Sequence, residues 1–231
     1  MADVLDIELD KELFEKSEFV ICTASTGSGK TYLIEQLVKK YSSKFYRIMV
    51  VGSKNELLNF PETRHKTEYY TTNRNDHIYN PFLEVDHFDV KKNKDKQFLI
   101  IYDDLLTEVH KSPIISDIFM KGRHLNISCI LLMQTYFPST NGKSLYPQIK
   151  NNSTIQIFLK LRSVSEIKLI SRRLEHDKVS QNFFCNLYKQ VVQNVKYGYL
   201  VVFMDTSNEK LRYGTNLLDE DGSNYLTVYS E

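Results

Sequence analysis

Phe19-Val20-Ile21-Cys22-Thr23-Ala24-Ser25-Thr26-Gly27-Ser28-Gly29-Lys30-Thr31 runs from an apolar stretch through a small-residue loop to a Lys-Thr pair. The next stretch, Tyr32–Tyr41, has apolar residues at 33, 34, 37, 38 and 41, the spacing of one helix face. A buried strand, a tight loop and a helix are therefore predicted in that order, which is the setting of a phosphate-binding loop. Gly27 and Gly29 permit positive φ and close approach of the backbone to a ligand. The loop amides can then point inward, and the helix start adds partial positive charge where phosphates lie. Ala24 stands where the usual pattern has its first glycine. Ser25, Thr26, Gly27, Ser28, Gly29, Lys30 and Thr31 thus form the candidate cradle for a nucleoside triphosphate. Lys30 is expected to reach the β- and γ-phosphates, and the Thr31 hydroxyl to ligate Mg2+.

With 231 residues, 42% of them hydrophobic and 26% charged, the chain can bury a real core and is too apolar for wholesale disorder. No apolar run approaches the roughly 20 residues that span a bilayer, so no transmembrane segment is expected. The acidic opening Met1-Ala2-Asp3-Val4 lacks a signal-peptide core, which argues against secretion. Cys22, Cys129 and Cys185 are odd in number and far apart, as expected of thiols in a reducing compartment. No metal-ligand spacing connects them to the six histidines, so a zinc site is not expected. A net charge of +1 gives no global attraction to nucleic acid. Any DNA-binding surface has to be a local basic cluster, or arise from several subunits around one duplex.

Further strands are predicted over Phe45–Gly52, Phe98–Tyr102, Ser128–Met133 and Thr154–Leu161. Ser112-Pro113 opens a helix reaching about Gly122, and Ser163 with Glu166 has capping-box spacing at the start of one ending at Leu174. Ser180–Val195 is a further helix, and Tyr197–Met204 with Leu211–Thr215 is expected as an antiparallel strand pair. Leu5–Glu18 is expected as a short helix or strand, Pro61–Gln97 as irregular chain with short edge strands, and 219–231 as a peripheral tail. Alternating strands and helices predict one domain over 1–231, with its core at about 17–205. The fold class is a three-layer α/β sandwich with a mostly parallel sheet and antiparallel additions at the C-terminal end.

Phe98-Leu99-Ile100-Ile101-Tyr102-Asp103-Asp104 describes a buried strand that delivers two carboxylates to the sheet's C-terminal edge, where open α/β sheets bind their ligands. Asp103 is the candidate Mg2+ ligand, and Asp104 the group that orients or deprotonates the water attacking the γ-phosphate. Ser128–Gln134 repeats the design, with the Gln134 amide placed to sense the γ-phosphate or that water.

The ordered set of P-loop, acidic strand end, Gly122-Arg123-His124 and a strand ending in Gln134 resembles the FtsK–HerA superfamily of DNA-pumping ATPases. The compact size and Leu131-Leu132-Met133-Gln134-Thr135 resemble its viral genome-packaging branch, of poxvirus and virophage type. The similarity spans roughly residues 17–205. It implies a RecA-like core, ATP and Mg2+ as cofactors, and a homo-oligomeric ring (pentamer or hexamer) that drives double-stranded DNA into a capsid. Capsid or virion vertex proteins are the further partners it implies, in the host cytoplasm, a viral factory or the virion. It also implies Lys30 and Thr31 at the phosphates and metal, Asp103 at the metal, Asp104 as catalytic carboxylate and Gln134 as sensor. Arg123, eleven positions before Gln134, matches an arginine of related translocases and is the candidate finger for a neighbour's γ-phosphate. Arg162 competes for that role. Asp104 stands where many relatives carry Glu.

Lys91–Lys96, and Lys143 and Lys150 with Asn151 and Asn152, are candidate tracks for DNA phosphates. A GTPase is disfavoured because Asn93-Lys94-Asp95-Lys96 misses the Asn-Lys-x-Asp spacing, and a kinase because only Arg172-Arg173 could serve a lid. The remaining alternative is an assembly factor gated by ATP binding that does not pump DNA.

Overall fold

The computed structural model describes residues 3–8, 13–52, 58, 60–71, 92–93, 95–105, 112–137, 146–204, 212–215, 217 and 225–230. Among these, the strands are β1 Asp3–Glu8, β2 Phe19–Thr23, β3 Phe45–Gly52, β4 Thr67–Thr71 and β5 Gln97–Asp103. They continue with β6 Ile127–Met133, β7 Ile155–Phe158, β8 Leu200–Phe203, β9 Tyr213–Thr215 and β10 Tyr225–Ser230. They form one sheet in the order β1-β10-β9-β8-β7-β2-β6-β5-β3-β4. From β7 to β4 every pairing is parallel. From β7 back to β1 every pairing is antiparallel. The C-terminal additions expected from sequence are therefore present, and they reach further than expected. Residues 225–230, expected in a peripheral tail, lie inside the sheet between β9 and β1.

Strands β2, β5 and β6 are buried along their whole length, as continuous apolar runs must be when both sheet faces are covered. On one face, helix α1 (Lys30–Lys40) packs Leu33, Ile34, Leu37 and Val38 against Val20, Cys22, Ile101 and Leu132. The alternate strand residues, among them Ile21, Ile100 and Leu131, face the other way. There they meet Ile115, Ile118 and Phe119 of α2 (Pro113–Lys121) and Ile149 of α3 (Tyr146–Asn151). Beyond α3, α4 (Val164–Leu174) and α5 (Lys178–Tyr188) bury Ile170 and Phe184 with Phe158 and Val202. Each fully buried Leu, Ile or Phe contributes about 1.5–3 kcal/mol relative to exposure, so these two apolar layers hold the sandwich together.

Local signals agree with this packing. Ser112 Oγ accepts from Ile115 N, Ser163 Oγ from Glu166 N at 3.2 Å, and Asp177 Oδ1 from Val179 N and Ser180 N. Such caps stabilise a helix by about 1 kcal/mol each. All three cysteines are free, Cys22 and Cys129 being buried. Among the described residues, no helix is long and apolar enough to cross a membrane.

Candidate functional site

The parallel strands place their carboxyl ends on one sheet edge, and the loop after β2 begins there. Ala24 N donates to Met133 O at 3.0 Å and Ser25 N to Lys160 O at 2.9 Å, so the chain leaves the sheet tethered to both neighbouring strands. Ala24 is fully buried in the core on the α1 face, and its φ is not positive. Alanine therefore replaces glycine there without backbone strain. Ser28 folds back, its N and Oγ both donating to Ser25 O. Gly27 has φ 76° and Gly29 has φ 92°, the left-handed conformation that favours glycine. Gly29 is the N-cap of α1 and offers no side-chain cap, and the first turn carries no acidic residue. The first helical bond is Leu33 N to Gly29 O, which leaves the amides of Lys30, Thr31 and Tyr32 without an intrahelical acceptor. An uncapped, acid-free helix start behind two left-handed glycines is a cradle for an anion.

Because β6 separates β2 from β5, the ends of β2 and β5 stand about 10 Å apart. Asp103 ends β5 and is buried. Burial pushes the Cys22 thiol up to about 12, with Lys30 lowering it and Asp103 raising it. Both charges thus act at the end of β2. Asp104 follows with φ 54°, a left-handed conformation that turns the chain out of the strand. Gln134, at the tip of the intervening β6, donates from Nε2 to Asp104 Oδ2 at 2.6 Å. Arg162 Nη2 in turn donates to Gln134 Oε1 at 3.1 Å. Asp104 Oδ1 is buried and has no hydrogen-bond partner. An unsatisfied buried carboxylate oxygen is costly, and a bound water or ligand proton relieves it. The edge therefore brings together the loop, Lys30, Asp103, Asp104, Gln134 and Arg162.

Glu166 was read from sequence as half of a capping box, and the structure gives its side chain another task. Its Oε1 accepts from Thr135 Oγ1 and Tyr136 N, both at 2.9 Å, which ties the end of β6 to the start of α4. Glu166→Ala should leave the buried Tyr136 amide unpaired and lower stability by about 1–3 kcal/mol in denaturant unfolding.

Arg123 lies elsewhere. It belongs to a short 3-10 turn, Gly122–Leu125, that precedes β6, so it sits at the amino edge of the sheet, opposite the loop. Its guanidinium lies over the Phe19 ring at 5.9 Å, and among the described residues it makes no ion pair. Lys92 and Lys96, also exposed, precede β5 on that same edge, while Lys91, Lys94 and Lys143 fall outside the described residues.

Lys150 is not the exposed phosphate-tracking lysine expected from sequence. It is buried, and its ammonium lies 4.4, 4.8 and 4.7 Å from the ring centroids of Tyr136, Phe137 and Tyr146. Burial, with the charge of Arg173 adding, lowers its pKa from 10.5 to about 8, while the ring faces act to retain the charge. The folded chain then binds fewer protons at Lys150 than the unfolded chain between these values, so Lys150 contributes stability that grows as pH rises above about 8, read as a net rise between about pH 8 and 9. The buried Cys22 and Cys129 thiols, raised above 9.0 by burial, oppose this from about pH 9, and Tyr136 and Tyr188, raised to about 12 mainly by burial, oppose it above pH 10. Lys150→Met should flatten the slope, measured as unfolding free energy against pH.

Sequence reasoning missed three participants: the Arg162–Gln134 bond, the Glu166 tether, and Tyr197 beside Gly29. Tyr197 was expected to open a strand that begins only at Leu200.

The family described as Poxvirus A32 protein matches residues 7–154, well over half of the chain. The DNA packaging protein OPG160 of vaccinia virus (strain Copenhagen) is 30% identical over 127 residues, covering 51% of this chain and 46% of that protein. The monkeypox virus protein of the same name is also 30% identical over 127 residues, covering 51% of this chain and 41% of that one. The chain thus spans about half the length of the curated relatives it matches. Among solved structures, the genome packaging NTPase B204 from Sulfolobus turreted icosahedral virus 2, in complex with AMP, aligns with a TM-score of 0.55 at 16% identity. That alignment covers 82% of this chain and 94% of B204. The cytoplasmic domain of the Thermomonospora curvata Type VII secretion ATPase EccC aligns with a TM-score of 0.56 at 13% identity, covering 98% of this chain and 28% of that one. The chain belongs to the Poxvirus A32 protein family, and it shares its fold with the packaging NTPase and secretion ATPase structures it aligns with.

Proposed function

We propose that this protein hydrolyses ATP to drive double-stranded DNA into a viral capsid. The observation that carries the proposal is the pairing of an uncapped P-loop with a carboxylate whose one oxygen is held by Gln134 and whose other is buried without a partner. Family relatives named DNA packaging proteins and a structural neighbour titled a genome packaging NTPase support the same reading.

The residues fit ATP with Mg2+. Magnesium is usually held by one or two carboxylates, substrate phosphates and water rather than by a protein cage. Among the described residues there is no cluster of three or more His, Cys, Asp or Glu that could form such a cage. The Thr31 hydroxyl and Asp103 would hold the ion, which supplies charge neutralisation at the phosphates. The loop amides and Lys30 bind and orient the triphosphate. Asp104 Oδ1 receives the proton of the attacking water, while Gln134 fixes Oδ2 and thereby the carboxylate's direction. Arg162 holds the Gln134 amide in the orientation that donates to Asp104.

Arg123, on the opposite edge and free of ion pairs among the described residues, acts in a neighbouring subunit's site within a ring. Mixing Arg123→Ala with Asp104→Asn subunits should restore part of the turnover that each variant lacks alone. Arg162→Ala mixed with Asp104→Asn should not, because Arg162 serves its own subunit. Absence of rescue in verified Arg123/Asp104 mixed rings contradicts the trans assignment.

The function itself is tested by ATP turnover with and without duplex DNA. Stimulation by duplex DNA is the expected result. ATP binding without turnover would mark an assembly factor, and stimulation by a small phosphoryl acceptor would mark a kinase.

A further inference from the structure

Downstream of α5 the backbone departs from regular geometry twice in quick succession. Lys189–Gln193 forms a π-helical turn, a feature that concentrates at functional sites. Tyr197 then adopts φ 60°, a conformation that is uncommon and strained for a residue with a bulky side chain. Gly198 follows, and a Cβ there would fall 1.9 Å from Val191 O, so the turn closes only with glycine at that position. The result is specific. The Tyr197 ring is carried onto the P-loop, where a Cβ on Gly29 would lie 3.0 Å from Cδ1 and 3.6 Å from Cγ.

This contact does not bury the ring. Tyr197 remains 60% exposed, and Tyr32, three residues beyond Gly29 on α1, is 64% exposed; no other aromatic among the described residues is as open. The Lys196 ammonium lies 5.2 Å from the Tyr197 ring centroid, and the ring's exposure leaves it able to take a partner from solvent as well. A strained backbone that presents an uncovered ring beside the loop gains the fold little.

Strand order supplies the direction. Asp103 and Asp104 lie on the β5 side of the loop strand β2, whereas β7 and β8 lie on its other side. Leu200 of β8 pairs with Phe158 at the end of β7, so the turn carrying Tyr197 enters β8 at the same sheet edge as the loop. A triphosphate with its γ end towards Asp104 points its nucleoside end to the side where Tyr197 stands.

We propose that Tyr197 is the stacking platform for the base of the nucleotide held by the P-loop. The proposal rests on the reading of that loop as a nucleoside triphosphate site. Stacking on a π face tolerates any base, so Tyr197 supplies affinity for a nucleoside over bare phosphate and does not choose among bases.

The test compares ATP with inorganic tripolyphosphate, each measured by competition against a fluorescent ATP analogue. Tyr197→Gly removes the ring and also relieves the positive φ, so it should melt no lower than the parent. It should nevertheless weaken ATP on the order of tenfold and leave tripolyphosphate unchanged. Tyr197→Trp should restore ATP affinity, whereas Lys30→Ala should weaken both ligands. Unchanged ATP affinity in Tyr197→Gly overturns the platform and leaves the loop assignment standing. Equal weakening of both ligands also overturns it, by showing that the ring only shapes Gly29. If the parent protein binds neither ligand, both the platform and the nucleotide site fall.

Discussion

Lys30→Ala is expected to lower ATP turnover by about two to three orders of magnitude, the size of effect seen when one preorganised charge-stabilising donor is removed. Lys30 is the first residue of α1, directly behind the two left-handed glycines, so its ammonium is delivered to the cradle by the same turn that exposes the amides. Steady-state phosphate release is the measurement. The fold should survive, because Lys30 is not part of the apolar layer that α1 buries through Leu33, Ile34, Leu37 and Val38. Lys30→Arg should also be impaired, since a planar, forked guanidinium does not reproduce a compact ammonium at a phosphate. Turnover unaffected by Lys30→Ala would remove the P-loop from the chemistry altogether.

Asp104→Asn should separate binding from hydrolysis. Its turnover should fall by about 10^2–10^4-fold, the usual contribution of a positioned general base. ATP affinity should stay close to that of the parent. The substitution is close to isosteric, and an Asn oxygen can still accept from Gln134 Nε2. Asn also tolerates the φ of 54° found at this position. What disappears is the basic oxygen that now stands buried without a partner. Equilibrium binding of ATP alongside turnover decides the case, and an Asp104→Asn protein that hydrolyses normally would sink the assignment.

The site was legible to the extent that it was written in short, continuous segments. Phe19–Thr31 declared a strand, a loop and a helix start, and the two glycines took the positive φ values expected of them. Asp103 and Gln134 were legible because polar residues ending continuous apolar runs mark the ligand edge of a parallel sheet. What escaped detection depends on distant partners. Nothing local announces that residues 225–230 pair with Asp3–Glu8, so the tail read as peripheral. Lys150 looked like part of a polar, basic stretch, and only the fold surrounds it with Tyr136, Phe137 and Tyr146. Tyr197-Gly198-Tyr199-Leu200-Val201-Val202-Phe203 has the composition of a strand throughout, yet the strand starts at Leu200. The first two residues instead serve the turn that meets Gly29. Glu166 satisfied the capping-box pattern by spacing, but a buried amide at Tyr136 competed for its carboxylate and won.

We propose that ATP hydrolysis at this edge moves the protein along duplex DNA. The most direct measurement is displacement of a third strand from a linear duplex carrying a triplex-forming oligonucleotide. Displacement should occur with ATP, fail with a non-hydrolysable analogue, and be lost in Asp104→Asn. ATP turnover that is stimulated by duplex DNA yet never displaces the third strand would contradict translocation.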